Sequence, residues 1–356
     1  MSSVLGEKIK LSVFGESHGT AIGCVIDGFP CGVKIDTEAV EKEMARRAPG
    51  RDKTTTPRKE ADAPKILSGV LNGVTTGAPI AMIIENTNTK SGDYSNIMSV
   101  PRPSHSDYAA YVKYSGNNDI RGGGHFSGRL TAPIVFAGAV AKQALAQKGI
   151  VIGAHISQIG SVKDDGFDKN NISKELLLNL TQNYFATLGD KEELMRSEIE
   201  KARTGGDSVG GKIECAVVGV PAGVGGNMFS TVEGKLSYAL FGVPAVKGVE
   251  FGTGFGFASA FGSSVNDGFE YKNGVVTTIS NNNGGVTGGI TNGAPIVFSV
   301  AIKPTPSISR PQKSVNLQTK ENEELIINGR HDPCIVPRAV PVIEAVAALT
   351  ILDLLS

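Results

Sequence analysis

Gly15-Glu16-Ser17-His18-Gly19, continued by Ile22, Cys24, Gly28, Pro30, Gly32 and Val33, returns later in the chain. The second version is Gly206-Asp207-Ser208-Val209-Gly210, continued by Ile213, Cys215, Gly219, Pro221, Gly223 and Val224. The offset is constant across the whole segment. Another matching pair follows in the same order: Thr75-Thr76-Gly77-Ala78-Pro79-Ile80 and Thr291-Asn292-Gly293-Ala294-Pro295-Ile296. Two collinear matches mark an internal duplication. The expected organisation is one pseudo-symmetric body over residues 1–356, with halves of about 1–195 and 196–356 and a seam near 190–205.

Each copy reads as strand, tight Gly/Pro turn, helix, strand. Ile22–Ile26 and Ile213–Val218 are short, apolar and partly β-branched, as strands are. Leu67–Val74, Ile80–Ile84, Val275–Ser280 and Ile296–Ile302 read the same way. Asp36 is placed to cap a helix over Thr37–Arg47, and Ser230 with Glu233 forms a capping box for one over Thr231–Leu240. Thr131–Gln147 and Lys174–Arg203 carry helical spacing. Strands and helices are grouped rather than alternating, which indicates an α+β fold with antiparallel sheets. His18 of the first copy faces Val209 of the second, so one half is expected to hold chemistry and the other mainly to support it.

Composition excludes several classes. The 356 residues carry zero formal net charge, no Trp and only 6% aromatics, which argues against nucleic acid as a partner. The 45 glycines follow no triplet period, so a collagen-like chain is excluded. Cys24, Cys31, Cys215 and Cys334 form no CxxC pair, consistent with reduced thiols in the cytoplasm. Glu7, Lys8 and Lys10 interrupt any N-terminal signal core. Glu344 breaks the apolar stretch Ala339–Leu352, which therefore reads as a buried helix with no membrane partner.

Five motifs carry chemistry. Ser17 and His18, between glycines at a strand end, place a general acid or base on a loop that ligands can approach closely. Arg46, Arg47, Arg51, Lys53, Arg58 and Lys59 form a basic run whose forks suit phosphate and carboxylate. Arg102 to Asp107 is followed by Arg121-Gly122-Gly123-Gly124-His125-Phe126-Ser127-Gly128-Arg129, a Gly-rich run of the kind that cradles anions. Lys303-Pro304-Thr305-Pro306-Ser307 is a stiff loop with one cation and two hydroxyls. Asp332 lies between Arg330-His331 and Pro333 and suits a tuned carboxylate. No Walker pattern and no complete GxGxxG are present, and the five histidines lack metal-ligand spacing.

Taken together, these motifs resemble the chorismate synthase family, in that family's order, over nearly the whole chain. The matching stretches include FGESHG, RRAPGRDKTTTPRKEAD, RPSHSDY, RGGGHFSGR, GDSVGG, KPTPSI and GRHDPC. Only Gly153–Arg203 matches in helical character alone. The resemblance implies a layered sandwich of helices between antiparallel sheets, assembled as a homotetramer. It implies loss of phosphate from 5-enolpyruvylshikimate 3-phosphate with reduced FMN (FMNH2) and no net redox, the flavin being supplied by an external flavin reductase. By the same resemblance His18, His105 and Asp332 are catalytic, and Ser17, Arg46, Ser127, Arg129 and Arg338 anchor substrate. His125, Phe126, Ser127, Pro244, Ala245, Gly288, Lys303, Pro304, Thr305, Pro306, Ser307 and Arg330 correspond to flavin contacts. Arg47 and Lys53 align with positions assigned to NADPH. His125-Phe126 stands where many members have Arg-Ser. Two competing readings are a non-catalytic flavin- or phosphate-binding module and an NADPH-dependent flavin reductase. The first has no need of three proton-transfer groups, and the second lacks a dinucleotide fingerprint.

Overall fold

The apolar stretches around Cys24 and Cys215 become the central strands of two five-stranded antiparallel sheets. The computed structural model describes residues 3–51, 54–55, 62–86, 99–327 and 331–356. The first sheet holds β1 (Val4–Leu5), β2 (Lys10–Gly15), β3 (Ala21–Asp27), β4 (Lys65–Ser68) and β5 (Ile80–Glu85), in the order β1-β2-β3-β5-β4. The second holds β6 (Val151–Ile159), β7 (Val162–Lys163), β8 (Gly211–Val218), β9 (Val246–Phe251) and β10 (Ile296–Ile302), in the order β7-β6-β8-β10-β9. The two orders match position by position.

Register and hydrogen bonding repeat as well. Ile22 faces Ile84, and Ile213 faces Val300. Thr75 Oγ1 donates to the Pro30 carbonyl at 2.7 Å and accepts from Val33 N at 2.9 Å. Thr291 Oγ1 does the same with Pro221 at 2.6 Å and Val224 at 2.9 Å. Gly28 and Gly219 have φ of 74° and 94°, and a Cβ on either would strike a carbonyl oxygen, that of Lys8 or of Gly149. The turns in both copies therefore require glycine. Strand β6 lies in the second sheet although it precedes residue 195, so a division there would cut that sheet.

Four helices fill the layer between the sheets: α1 (Thr37–Arg47), α2 (Thr131–Ala146), α3 (Val232–Phe241) and α4 (Val336–Leu355). Helices α2 and α4 are buried almost all round, because each meets a sheet on one side and the other helix on another. They cross at Gly138, where an added Cβ would lie 2.1 Å from Ala345 Cβ and 2.3 Å from its Cα. Gly138→Ala must push the helices apart; we expect a loss of about 1–3 kcal/mol in urea unfolding.

Several local expectations shift. Asp36 does cap α1, accepting from Ala39 N. Thr231, not Ser230, caps α3, because Met228–Ser230 forms a separate 3-10 turn and Thr231 accepts from Gly234 N. Lys174–Arg203 divides into helices Lys174–Leu180 and Glu192–Thr204, and the first covers the outer face of β6. Leu67–Val74 is interrupted at Gly69 and by an Asn72-Gly73 turn, both residues at positive φ. All four cysteines are free; Cys24 and Cys215 occupy equivalent places, and burial pushes the Cys24 thiol up to about 12. Among the described residues, no helix is long and apolar enough to cross a membrane.

Candidate active site

Helices α2 and α4 begin at the same place. Thr131 and Leu130 from the start of α2, with Ile335 and Arg338 from the start of α4, line one cavity of about 1280 Å³. Helix N-termini present unpaired N–H groups and the positive ends of their dipoles, which favour anions. Apolar lining comes from Val4, Leu5, Leu11, Val13, Ile134 and Val342. The volume exceeds that of a typical single-ligand pocket.

The glycine triplet sets the position of both imidazoles. Gly122, Gly123 and Gly124 have φ of 60°, 87° and 53°. A Cβ on Gly122 would sit 2.3 Å from His18 Nδ1 and 2.8 Å from Ser17 Oγ, while one on Gly123 would sit 3.4 Å from His105 Nε2. The triplet is thus a slot between two histidines, and Ser17 N locks it by donating to the Gly124 carbonyl at 3.1 Å. His18 is 8% exposed and lies against the triplet beside Ser17, which itself lines the cavity.

His105 is held by a carboxylate. Its Nδ1 lies 2.6 Å from Asp107 Oδ1. Arg102 grips the same carboxylate through Nε at 2.7 Å and Nη2 at 2.8 Å. Burial would raise the Asp107 carboxyl, but the bonds from Arg102 and His105 win and hold it well below the usual carboxylate range. An ionised Asp107 fixes the proton of His105 on Nδ1 and leaves Nε2 for exchange.

Three guanidiniums meet on the cavity floor. Arg47 Nη1 reaches Asp62 Oδ2 at 2.5 Å, and Arg129 takes the other oxygen, Oδ1. Arg338 pairs with Asp332 and donates from Nε to the Arg47 carbonyl at 3.0 Å. Burial, with repulsion from Arg338 and Arg129, brings Arg47 down to about 10 despite Asp62. Three cations against two carboxylates leave the floor positive. At the rim, burial and the neighbouring Lys247 lower the Lys303 ammonium. Lys247 and Lys303 both line the cavity there and form a second basic spot.

Most candidate residues converge here. Ser17, His105, His125, Phe126, Ser127, Arg129, Pro244, Ala245, Lys303, Thr305, Pro306, Ser307, Asp332 and Arg338 all line the cavity. Arg46 does not: it points into the core and forms a two-pronged pair with Glu344. Arg47, the next residue on the helix, is the one that faces the cavity. Successive helical residues point about 100° apart, so only one of the two can do so. Gly288 sits on an exposed turn at φ 63° and Pro304 is exposed; neither lines the cavity. Both ring nitrogens of His125 contact protein groups, the Gly15 carbonyl and Ser3 Oγ, each at 2.8 Å. Lys53 and Arg330 lie outside the described residues.

Asp62, Arg102 and Asp107 were not singled out as site residues from the sequence. Arg102 and Asp107 stand inside a quoted motif. Asp62 had one visible signal, a carboxylate just after a basic run. The second copy plays a supporting part: Ser208 Oγ donates to the Thr305 carbonyl at 2.6 Å, and Val209 N to that of Pro333 at 2.9 Å. The loop that carries Val209 where the first copy has His18 thus braces two cavity-lining loops.

A family model described as chorismate synthase matches residues 9–355. A relative named chorismate synthase from Thermococcus kodakarensis is 47% identical over 348 residues, covering 98% of this chain and 96% of its own. One so named from Dehalococcoides mccartyi is 44% identical over 356 residues, covering 99% and 96%. A crystal structure of chorismate synthase superposes with a TM-score of 0.77 at 30% identity, over 98% of this chain and 92% of that one.

Proposed function

Because this chain belongs to the chorismate synthase family, and is a lyase as that family is, we propose that it removes phosphate from 5-enolpyruvylshikimate 3-phosphate by 1,4-elimination. The product is chorismate, at the last common step of aromatic amino-acid biosynthesis. The observation that carries this reading is the convergence of three guanidiniums and the His105 imidazole on one cavity, with His18 packed behind Gly122 of its wall. The substrate bears a phosphate and two carboxylates. Positioned guanidiniums stabilise a phosphate as its negative charge grows on leaving. Arg47, Arg129 and Arg338 hold that role, His18 and His105 act as proton donors, and Asp332 is the remaining cavity carboxylate.

Reduced FMN fits the rest of the cavity. The space admits two ligands, the apolar lining suits a flat ring, and Lys247 with Lys303 offers charge for a second phosphate. Thr305 Oγ1 is buried with no hydrogen-bond partner among the described residues, a polar atom that a ligand can satisfy. Phe126, Ala245, Lys303 and Thr305 would hold the cofactor. When bound, reduced FMN supplies transient electron donation to the substrate and accepts its C6 hydrogen.

The assembly we propose is a cytoplasmic homotetramer that takes reduced flavin from an external reductase. Phe229, Phe255, Phe261 and Tyr271 are each at least 80% exposed, more apolar surface than a lone chain usually leaves bare, and suit subunit contacts. An anaerobic assay tests the function. Chorismate should form with pre-reduced FMN and not without it, and NADPH with oxidised FMN should not replace it. No chorismate with pre-reduced FMN would sink the reading.

A further inference from the structure

Asp62 is held apart from the cavity it serves. Its side chain is fully buried and forms none of the lining, whereas Arg47 and Arg129 both do. Each carboxylate oxygen is committed to a different guanidinium, Oδ2 to Arg47 and Oδ1 to Arg129. Other nitrogens of those arginines are engaged as well. Arg47 Nε donates to Thr131 Oγ1 at 3.1 Å and Nη2 to the Gly128 carbonyl at 3.1 Å. Arg129 Nε donates to Asn86 Oδ1 at 3.1 Å, and Asn86 is itself held by the carbonyls of Glu16 and Gly19, which flank Ser17 and His18.

The backbone at Asp62 is unusual too. Its φ is 46°, a left-handed conformation that Asp tolerates better than most residues with a Cβ. Burial opposes ionisation of the carboxyl, yet the two arginines keep it charged, below its ordinary value.

We propose that Asp62 is the positioning residue for the substrate's anionic groups, an internal counter-ion that holds Arg47 and Arg129 from behind at the spacing a phosphate or carboxylate requires. It touches no ligand. It keeps two like charges side by side in a buried floor, where they would otherwise repel, while both arginines line the cavity. The cost is that Asp62 also competes for the positive charge it organises. Its removal therefore loosens geometry while making the floor more cationic. Turnover and plain anion affinity should then move in opposite directions, which a purely structural residue would not cause.

The proposal rests on the cavity being the substrate site, and its test includes a reading that needs no turnover. Inorganic phosphate is titrated calorimetrically into the full-length wild type and Asp62→Asn, and turnover is measured anaerobically. Asp62→Asn should bind phosphate about tenfold more tightly, since one negative charge a few ångströms away has been removed. Its turnover should fall by about 10²-fold, as misplaced binding groups cause. The double variant Asp62→Asn with Arg47→Met should lose the gain in phosphate affinity. If Asp62→Asn does not fold, Asp62→Glu keeps the charge but moves both guanidiniums; it should retain wild-type phosphate affinity and lose turnover. Equal phosphate affinity in wild type and Asp62→Asn, or wild-type turnover in Asp62→Glu, would overturn the proposal. Failure of the wild type to make chorismate, with the phosphate difference intact, would instead count against the reaction assigned above.

Discussion

His105→Ala lowers turnover by about 10²–10⁴-fold while far-ultraviolet circular dichroism stays that of the wild type, the range expected when a general acid or base is removed. The fold should survive because the ring stands at the cavity edge and leaves no void in the core. Its loss removes one partner of Asp107 Oδ1, but Arg102 still holds both oxygens of that carboxylate. Asp107→Asn is the sharper companion. An amide in that place offers the imidazole no fixed negative partner, and it leaves the Arg102 guanidinium, 5% exposed, without its counter-charge. Turnover should therefore drop in Asp107→Asn although His105 is intact, with some loss of stability as well. Wild-type turnover in His105→Ala, measured anaerobically with pre-reduced FMN, would remove His105 from the reaction. His18→Ala is expected to lower turnover over the same range. There the wall itself is at stake, since Gly122 is shaped around that ring.

The duplicated fold was legible in the chain because tight turns leave fixed marks. Gly28, Pro30, Gly32 and Thr75 recur as Gly219, Pro221, Gly223 and Thr291 because the same backbone path demands them. The strands beside those turns could be placed within a residue or two. The seam could not be read, because strand β6 carries no visible match to β2, and pairing across a sheet is a long-range fact. Most of the cavity was legible through its motifs. The choice between Arg46 and Arg47 was not: adjacent arginines at a helix end differ only in which way the helix is turned, and that is set by Glu344, almost three hundred residues away. Asp62 was hidden for a similar reason. Its role depends on two arginines brought together by separate elements. His125 shows the reverse case, a residue matched to a flavin position whose ring nitrogens are engaged by Ser3 and Gly15.

Glu344→Leu is expected to cost about 3–5 kcal/mol, the price of stranding buried charge. Glu344 is completely buried in the middle of α4, where its two oxygens take Arg46 at 2.7 and 3.0 Å, Lys142 at 2.6 Å and Ala154 N at 3.0 Å. Leucine would fill the space and remove one negative charge, leaving two cations with only Glu43 to share. Replacing Arg46 and Lys142 with Met in the same chain should return much of the loss, since an apolar cluster of similar volume often matches a buried ionic one. It should not return all of it, because Ala154 N would still lack an acceptor. The pH dependence follows from the same site. Burial raises the Glu344 carboxyl, but Arg46 and Lys142 outweigh it and bring it down to about 2 from 4.5. A group depressed on folding adds stability that is complete above its unfolded value and fades as pH falls toward its folded one. The wild type should therefore lose stability from this group as pH falls from about 4.5 toward the folded value. Glu344→Gln should start less stable and show a slope flatter by about one proton in that window. Parallel slopes for the two proteins in urea unfolding would mean that the charge on Glu344 does not hold α1, α2 and the second sheet together as its contacts indicate.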